Sequence, residues 1–332
     1  MSFSNLHWCP YVAESIRASP PHPLQRTYIR SQTYDLELVF FTPSQSTPCQ
    51  PLLFAHGGYG SASVWYPYML FFAARNIPCY AISYRGHGNS TCPGFLQMVY
   101  GTTKGMLAND LVAGVQEVER RESERKGEVM EGEVVLVGHS SGGGLAQYVL
   151  SEGMVRVKGL VLLGSVPGFG SLGVYKNWWF RVDPFFMPRV VLHLWHPTSP
   201  LSTDALVKRV FFSDEKSDEE VAVFRQNMAP YESYWWPMSM MWTFADAGRV
   251  LQSIKGWNQA EIMEQLSAWY RSAFDSMRKT DNPKGSGSEI VKSQMRGEGV
   301  RFEMVEGAGH HVQNDVQWED GALKILDFYE QL

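Results

Sequence analysis

The sequence predicts an α/β fold, a mostly parallel central sheet flanked by helices and carrying a helical cap insertion. Three observations lead there. Short apolar runs at 52–55, 79–84, 134–137 and 157–163 do not alternate with polar residues, as expected of strands buried on both faces. Stretches of helical spacing separate them; in 106–126, Leu107, Leu111, Val115 and Val118 fall on one face. From about residue 169 to 244 the alternation stops, and this span holds six of the eleven tryptophans (Trp178, Trp179, Trp195, Trp235, Trp236, Trp242). The chain therefore divides into a core, 1–168 and 245–332, and a helical, aromatic-rich cap, 169–244.

Taken in order, the Pro-rich stretch to about residue 25 wraps the surface, and 36–41 reads as a strand closed by the Pro/Ser/Thr-rich turn 42–51. Strand 52–55 runs into the tight turn His56-Gly57-Gly58. A helix at 64–75 leads to strand 79–84, and helix 106–126 ends in a solvated Arg/Glu-rich run. Strand 134–137, helix 142–150 and strand 157–163 follow. Beyond the cap the α/β pattern resumes near 245 and closes with a strand at 300–305 and a helix at 318–331; Lys284–Ser288 (KGSGS) reads as a loop.

Composition bounds the function. Over 332 residues, 44% hydrophobic against 19% charged suffices for a sizeable core. Lys and Arg number 29 and Asp and Glu 34, and the resulting charge of −5 argues against a nucleic-acid binder. No apolar run reaches the roughly 18–20 residues that span a bilayer, and the first residues lack the pattern of a signal peptide. Four cysteines without a CxxC make no disulfide framework. The expectation is a soluble, cytoplasmic protein.

Three motifs carry chemistry. Gly138-His139-Ser140-Ser141-Gly142 sits between a strand and a helix, the setting in which G-x-S-x-G presents a serine nucleophile on a sharp turn. Ser140 is the candidate nucleophile. His56-Gly57-Gly58-Tyr59-Gly60 follows the earlier strand, where backbone N–H groups can stabilise a developing oxyanion; the expected donors are Gly58 and Ser141. Gly307-Ala308-Gly309-His310-His311 near the C-terminus supplies a base, His310 in preference to His311 because it directly follows the Gly-Ala-Gly turn.

Other patterns are weighed and set aside. Gly168-x-Gly170-x-x-Gly173 resembles a dinucleotide loop, but no βαβ unit follows. His193-x-x-His196 has no third ligand at a sensible spacing. No cofactor and no metal is expected. The cluster Trp235, Trp236, Met238, Met240 and Met241 either packs as core or lines an apolar substrate cavity.

Together LLFAHGG, SYRGHGNS (83–90), the serine elbow and the terminal GAGH give a chain that resembles the α/β-hydrolase superfamily over about 35–168 and 245–332. The resemblance implies that family's sheet with a cap inserted after the sixth strand. It matches Ser140, His310 and the Gly58/Ser141 donors to the family's motif positions. More loosely, the aromatic cap looks like that of fungal hydrolases that release or cyclise polyketides. One departure stands out: the family's aspartate turn after the cap is not visible. Asp246, Glu261, Asp275 and Asp281 are the candidates for the residue that orients His310, or there is none.

The expected activity is that of a serine hydrolase or acyltransferase on a hydrophobic ester or thioester, through an acyl-enzyme on Ser140, including release or lactonisation of a polyketide-like acyl chain. The expected partner is a hydrophobic acyl substrate, a carrier-tethered one included, with no nucleic acid and no membrane span. The alternative is a non-catalytic ligand-binding or scaffold protein on the same fold.

Overall fold

The computed structural model of the chain describes residues 6–45, 47–255 and 302–332. Six strands form one sheet: β1 (Gln25–Ser31), β2 (Tyr34–Phe41), β3 (Leu52–Ala55), β4 (Cys79–Ile82), β5 (Val135–His139) and β6 (Gly159–Leu163), in the order β1-β2-β4-β3-β5-β6. β4, β3, β5 and β6 run parallel, while β2 is antiparallel to both β1 and β4. The mostly parallel α/β fold is as expected.

β1 is the strand that composition hides. Of its seven residues only Ile29 and Ser31 turn fully inward, so Gln25-Arg26-Thr27-Tyr28 reads as loop. It is held as an edge strand by its ladder to β2 and by Arg26 Nε, 2.7 Å from Glu37 Oε1.

Alternate residues of the central strands feed two apolar layers. Leu53, Ala55 and Leu136 pack under α3 (Lys104–Lys126) and α4 (Ser140–Ser151). Leu52, Phe54, Val135 and Val137 pack under α2 (Tyr66–Ala73) and a C-terminal helix, Trp318–Tyr329. α3 starts where the Thr103 hydroxyl accepts the Met106 N–H, and it ends at Gly127, whose φ of 72° an L-residue adopts at a cost. A short helix α1 (Glu14–Arg17) lies in the N-terminal stretch.

Between β6 and residue 245 no strand occurs. The segment holds α5 (Leu172–Asn177), a π-turn at Trp178–Val182, α6 (Phe186–Leu192), α7 (Asp204–Phe211), α8 (Asp218–Gln226) and α9 (Trp235–Met238). Its two ends are joined. Ser171 N–H donates to the Met240 carbonyl (2.9 Å), Leu172 N–H to that of Met241 (3.2 Å), and Phe244 N–H to that of Gly168 (2.9 Å). α10 (Ala247–Gln252) follows, then Ile254, which forms a parallel bridge with Val157, and after it α11, the Trp318–Tyr329 helix.

One expected strand is corrected. Residues 302–305 join no strand pair among the described residues, and Met304 is 42% exposed. The KGSGS loop lies outside the described residues. No described helix is long and apolar enough to cross a membrane.

A buried ion pair ties the turn after β4 to α3. Arg85 and Asp110 are both fully buried and 2.6 Å apart, and Asp110 also accepts the Arg85 backbone N–H (3.1 Å) and the Ser31 hydroxyl (2.7 Å). Asp110→Ala strands the guanidinium in the core, so it should cost about 3–5 kcal/mol. Urea unfolding measures this; a loss below about 1 kcal/mol would contradict it.

Candidate active site

The sheet register brings three strand ends side by side. Ala55 lies opposite Gly138 and His139 opposite Leu163, so the turns leaving β3, β5 and β6 share one edge, where open α/β sheets bind ligands. The β5 turn is sharp. Ser140 has φ 53°, a left-handed conformation that a serine holds only under constraint from its surroundings. Glycines make the room: a Cβ on Gly138 would lie 2.6 Å from Gly143 Cα, and one on Gly57 2.8 Å from Ser140 Cβ. A Cβ on Gly142 would strike the His56 carbonyl.

His310 Nε2 lies 2.9 Å from Ser140 Oγ, so the two residues expected to act together are in hydrogen-bond contact. Burial holds the His310 pKa below its ordinary value, which keeps the ring neutral and able to accept a proton. Two supports fix its loop. His139 Nε2–H donates to the His310 carbonyl (3.0 Å), tying base to elbow. Asp315 accepts from the Gly309 N–H (2.7 Å), the Ser213 N–H and hydroxyl (2.8 Å each) and the Val316 N–H (2.9 Å). Burial alone would raise the Asp315 pKa, but these donors outweigh it and hold the carboxyl ionised.

Among the described residues no carboxylate is hydrogen-bonded to His310. Asp246 caps α10, its Oδ1 accepting the Arg249 N–H at 3.0 Å. Glu261, Asp275 and Asp281 lie outside the described residues.

Gly58 and Ser141 are brought together, in an arrangement that spacing did not predict. The Gly58 N–H donates to Ser141 Oγ at 2.8 Å, so the serine side chain takes the bond intended for an oxyanion. The next residue, Tyr59 (φ 61°), donates its N–H to Glu232 Oε2 at 2.9 Å. Glu232 lies in the segment before α9 and is 4% exposed. Its Oε2 is also 2.9 Å from His87 Nε2, and its Oε1 accepts the Ser233 N–H (2.8 Å).

Five histidines surround the elbow. His56 donates from Nδ1 to the Gly57 carbonyl (2.8 Å) and accepts the Tyr84 N–H at Nε2 (3.2 Å), so it carries one proton. Burial holds His56, His139 and His311 neutral, the last down to about 3. His87 is the exception. Burial would lower its pKa, but the Glu232 carboxylate and the Arg85 carbonyl raise it above the ordinary value.

The remaining candidates resolve structurally. His193 Nδ1 meets Ser199 Oγ (3.0 Å) and His196 Nε2–H donates to the His7 carbonyl (2.8 Å), roles internal to the fold. In the 168–173 loop a Cβ on Gly170 would lie 2.5 Å from the Met241 carbonyl, so that glycine serves chain packing. Trp236 is fully buried, edge-on to Tyr84 and His87, and Met240 packs in the same core. Trp235 is 49% exposed, with Nε1–H on the Tyr100 carbonyl. Part of the cluster is thus core.

His87 sits inside the SYRGHGNS stretch, which carried a signal without a role. Glu232 and Asp315 carried none.

The sheet, the elbow and the histidine define a class, and sequence comparison agrees. The model of the alpha/beta hydrolase family matches residues 52–320, and the chain belongs to that family. A non-heme haloperoxidase of Rhodococcus erythropolis is 35% identical over 119 residues, covering 36% of this chain and 38% of that protein. The chain thus spans less than two fifths of the curated relatives it matches. Among solved structures, an esterase of Exiguobacterium antarcticum superposes with TM-score 0.57 at 17% identity, over 92% of this chain and 99% of the other. The thioesterase domain from the curacin biosynthetic pathway gives TM-score 0.50 at 14% identity, over 93% and 100%. At these identities the structural likenesses speak for the fold.

Proposed function

We propose that the protein is a serine hydrolase or acyltransferase acting on a hydrophobic ester or thioester through an acyl-enzyme on Ser140. The observation that carries this reading is the 2.9 Å contact of His310 Nε2 with Ser140 Oγ at a strained strand-to-helix turn. Ser140 Oγ attacks the acyl carbon while His310 Nε2 takes its proton. The carbonyl oxygen becomes an oxyanion facing the Ser141 and Gly58 N–H groups, and a χ1 rotation of Ser141 frees the Gly58 donor. Collapse of the tetrahedral intermediate expels the alcohol or thiol, which receives the proton from His310.

Water then attacks the acyl-enzyme to give an acid, or a hydroxyl of the same acyl chain attacks to give a lactone. His310 works either with a carboxylate outside the described residues or as a Ser140–His310 dyad. Such a dyad suits a thioester, whose leaving group needs little protonation. A long, polyketide-like chain presented on a carrier fits that preference.

A fluorophosphonate probe tests the reading. Mass spectrometry should find the adduct on Ser140, and thioesters should turn over faster than alkyl esters of the same acyl group. An unreactive Ser140 in folded protein would reject the enzyme and leave a ligand-binding protein on this fold.

A further inference from the structure

His87 and Glu232 are 145 residues apart in sequence and meet beside the oxyanion turn. The hydrogen-bond partners of His87 suit its charged form. Nδ1 faces the Arg85 carbonyl at 3.0 Å and Nε2 faces Glu232 at 2.9 Å; with Glu232 ionised both partners accept, so both ring nitrogens donate and the ring is an imidazolium. Glu232 Oε2 in turn holds the Tyr59 N–H and lies 3.5 Å from where a Cβ on Gly58 would stand, with Ser141 Oγ at 3.6 Å from the same point. A buried carboxylate is therefore parked next to the place where negative charge develops.

We propose that His87 and Glu232 form a positioning pair. Glu232 holds the oxyanion turn by the Tyr59 N–H, and the His87 imidazolium cancels a carboxylate charge that would otherwise oppose the oxyanion. The inference rests on Ser140 chemistry as proposed above. Neither residue touches the reacting atoms; both act through the backbone and the local field.

The surroundings leave His87 as the group that decides. His56 packs on it at 4.8 Å between ring centroids and is neutral, and Tyr84 and Trp236 present ring edges. Asp110 lies near enough to favour the imidazolium but is itself paired with Arg85. Tyr59 and Tyr175 face Glu232 with phenols that burial keeps un-ionised. When pH rises past the point at which His87 loses its proton, one uncompensated negative charge remains beside the oxyanion site. Reactivity then falls on the alkaline side, while neutral His310 sets the acid side.

The experiment measures the rate of Ser140 labelling by a fluorophosphonate, whose phosphoryl oxygen gains charge in the same site, from pH 5 to 10. His87→Gln should slow labelling by roughly ten- to a hundredfold at pH 7, because the carboxylate is left uncompensated. Glu232→Gln can accept the Tyr59 N–H or the Ser233 N–H but not both, so it should label more slowly than wild type yet faster than H87Q, and it should lose the alkaline fall. The double variant H87Q/E232Q should label at about the E232Q rate, faster than H87Q. A purely structural role predicts instead that the two losses accumulate, and that result overturns the proposal, as does an alkaline fall that survives in E232Q. If H87Q fails to fold, the E232Q profile decides alone. Wild-type protein that does not label at Ser140 would overturn the acyl-transfer reading itself, an outcome separate from all of these.

Discussion

Ser140→Ala should lower acyl transfer by about 10⁵–10⁶-fold while leaving the unfolding midpoint within about 1 kcal/mol of wild type. The substitution keeps the Cβ and the left-handed backbone and removes only the oxygen that meets His310. Because nucleophile and base work as a unit, His310→Ala should cost a similar factor, and the double variant should be no worse than either single one. Initial rates with a long-chain thioester, corrected for uncatalysed hydrolysis, measure this. A Ser140→Ala protein retaining more than about one per cent of wild-type rate would assign the acyl-enzyme to another residue.

The second large effect is loss of stability in acid, well above the range in which carboxylates protonate. His56, His139 and His311 are fully buried and held neutral by burial, with folded pKa values below the unfolded value of 6.5. Above pH 6.5 neither state binds the protons and stability is full. Below it the unfolded chain takes up protons that the fold refuses, and each histidine costs on the order of 1 kcal/mol by pH 5.5. His87 runs the other way. Its folded pKa is raised, so its contribution is complete below 6.5 and fades as pH rises through the folded value; it offsets at most one share. The net expectation is a stability roughly 2–3 kcal/mol lower at pH 5.5 than at pH 7.5. Urea titrations at the two values measure it, and equal midpoints would mean that the ring cluster opens to solvent at little cost.

What the sequence made legible follows from locality. β3, β4 and β5 are buried along their whole lengths, so each reads as a short apolar run, and the glycines around Ser140 mark a turn whose geometry their own positions impose. β1 was missed because an edge strand with one apolar inward residue shows neither alternation nor an apolar run. The partners around the site were out of reach for a different reason. Ser213 meets Asp315 across 102 residues and Tyr59 meets Glu232 across 173, and a single carboxylate in a polar loop looks the same whether solvent or a backbone N–H satisfies it. His87 was visible as part of a motif, but its charge depends on that distant partner.

The joined ends of the 169–244 segment bear on how such a protein could acquire new substrates. Because the chain departs and returns through one short stem, at 168–172 and 240–245, most of the intervening helices could be exchanged or resized without redirecting a strand. The exceptions are the stretches that grip the core, Phe211–Ser213 and 229–234. Ala229 N–H holds the Tyr59 carbonyl, Glu232 holds the Tyr59 N–H, and Tyr234 N–H holds the Val99 carbonyl. A transplanted segment would inherit a working elbow and base only if it brought those three anchors and the Ser213 contact with Asp315. Diversification of the segment is therefore tethered at Phe211–Ser213, which hold His311 and Asp315, and again from Ala229 to Tyr234.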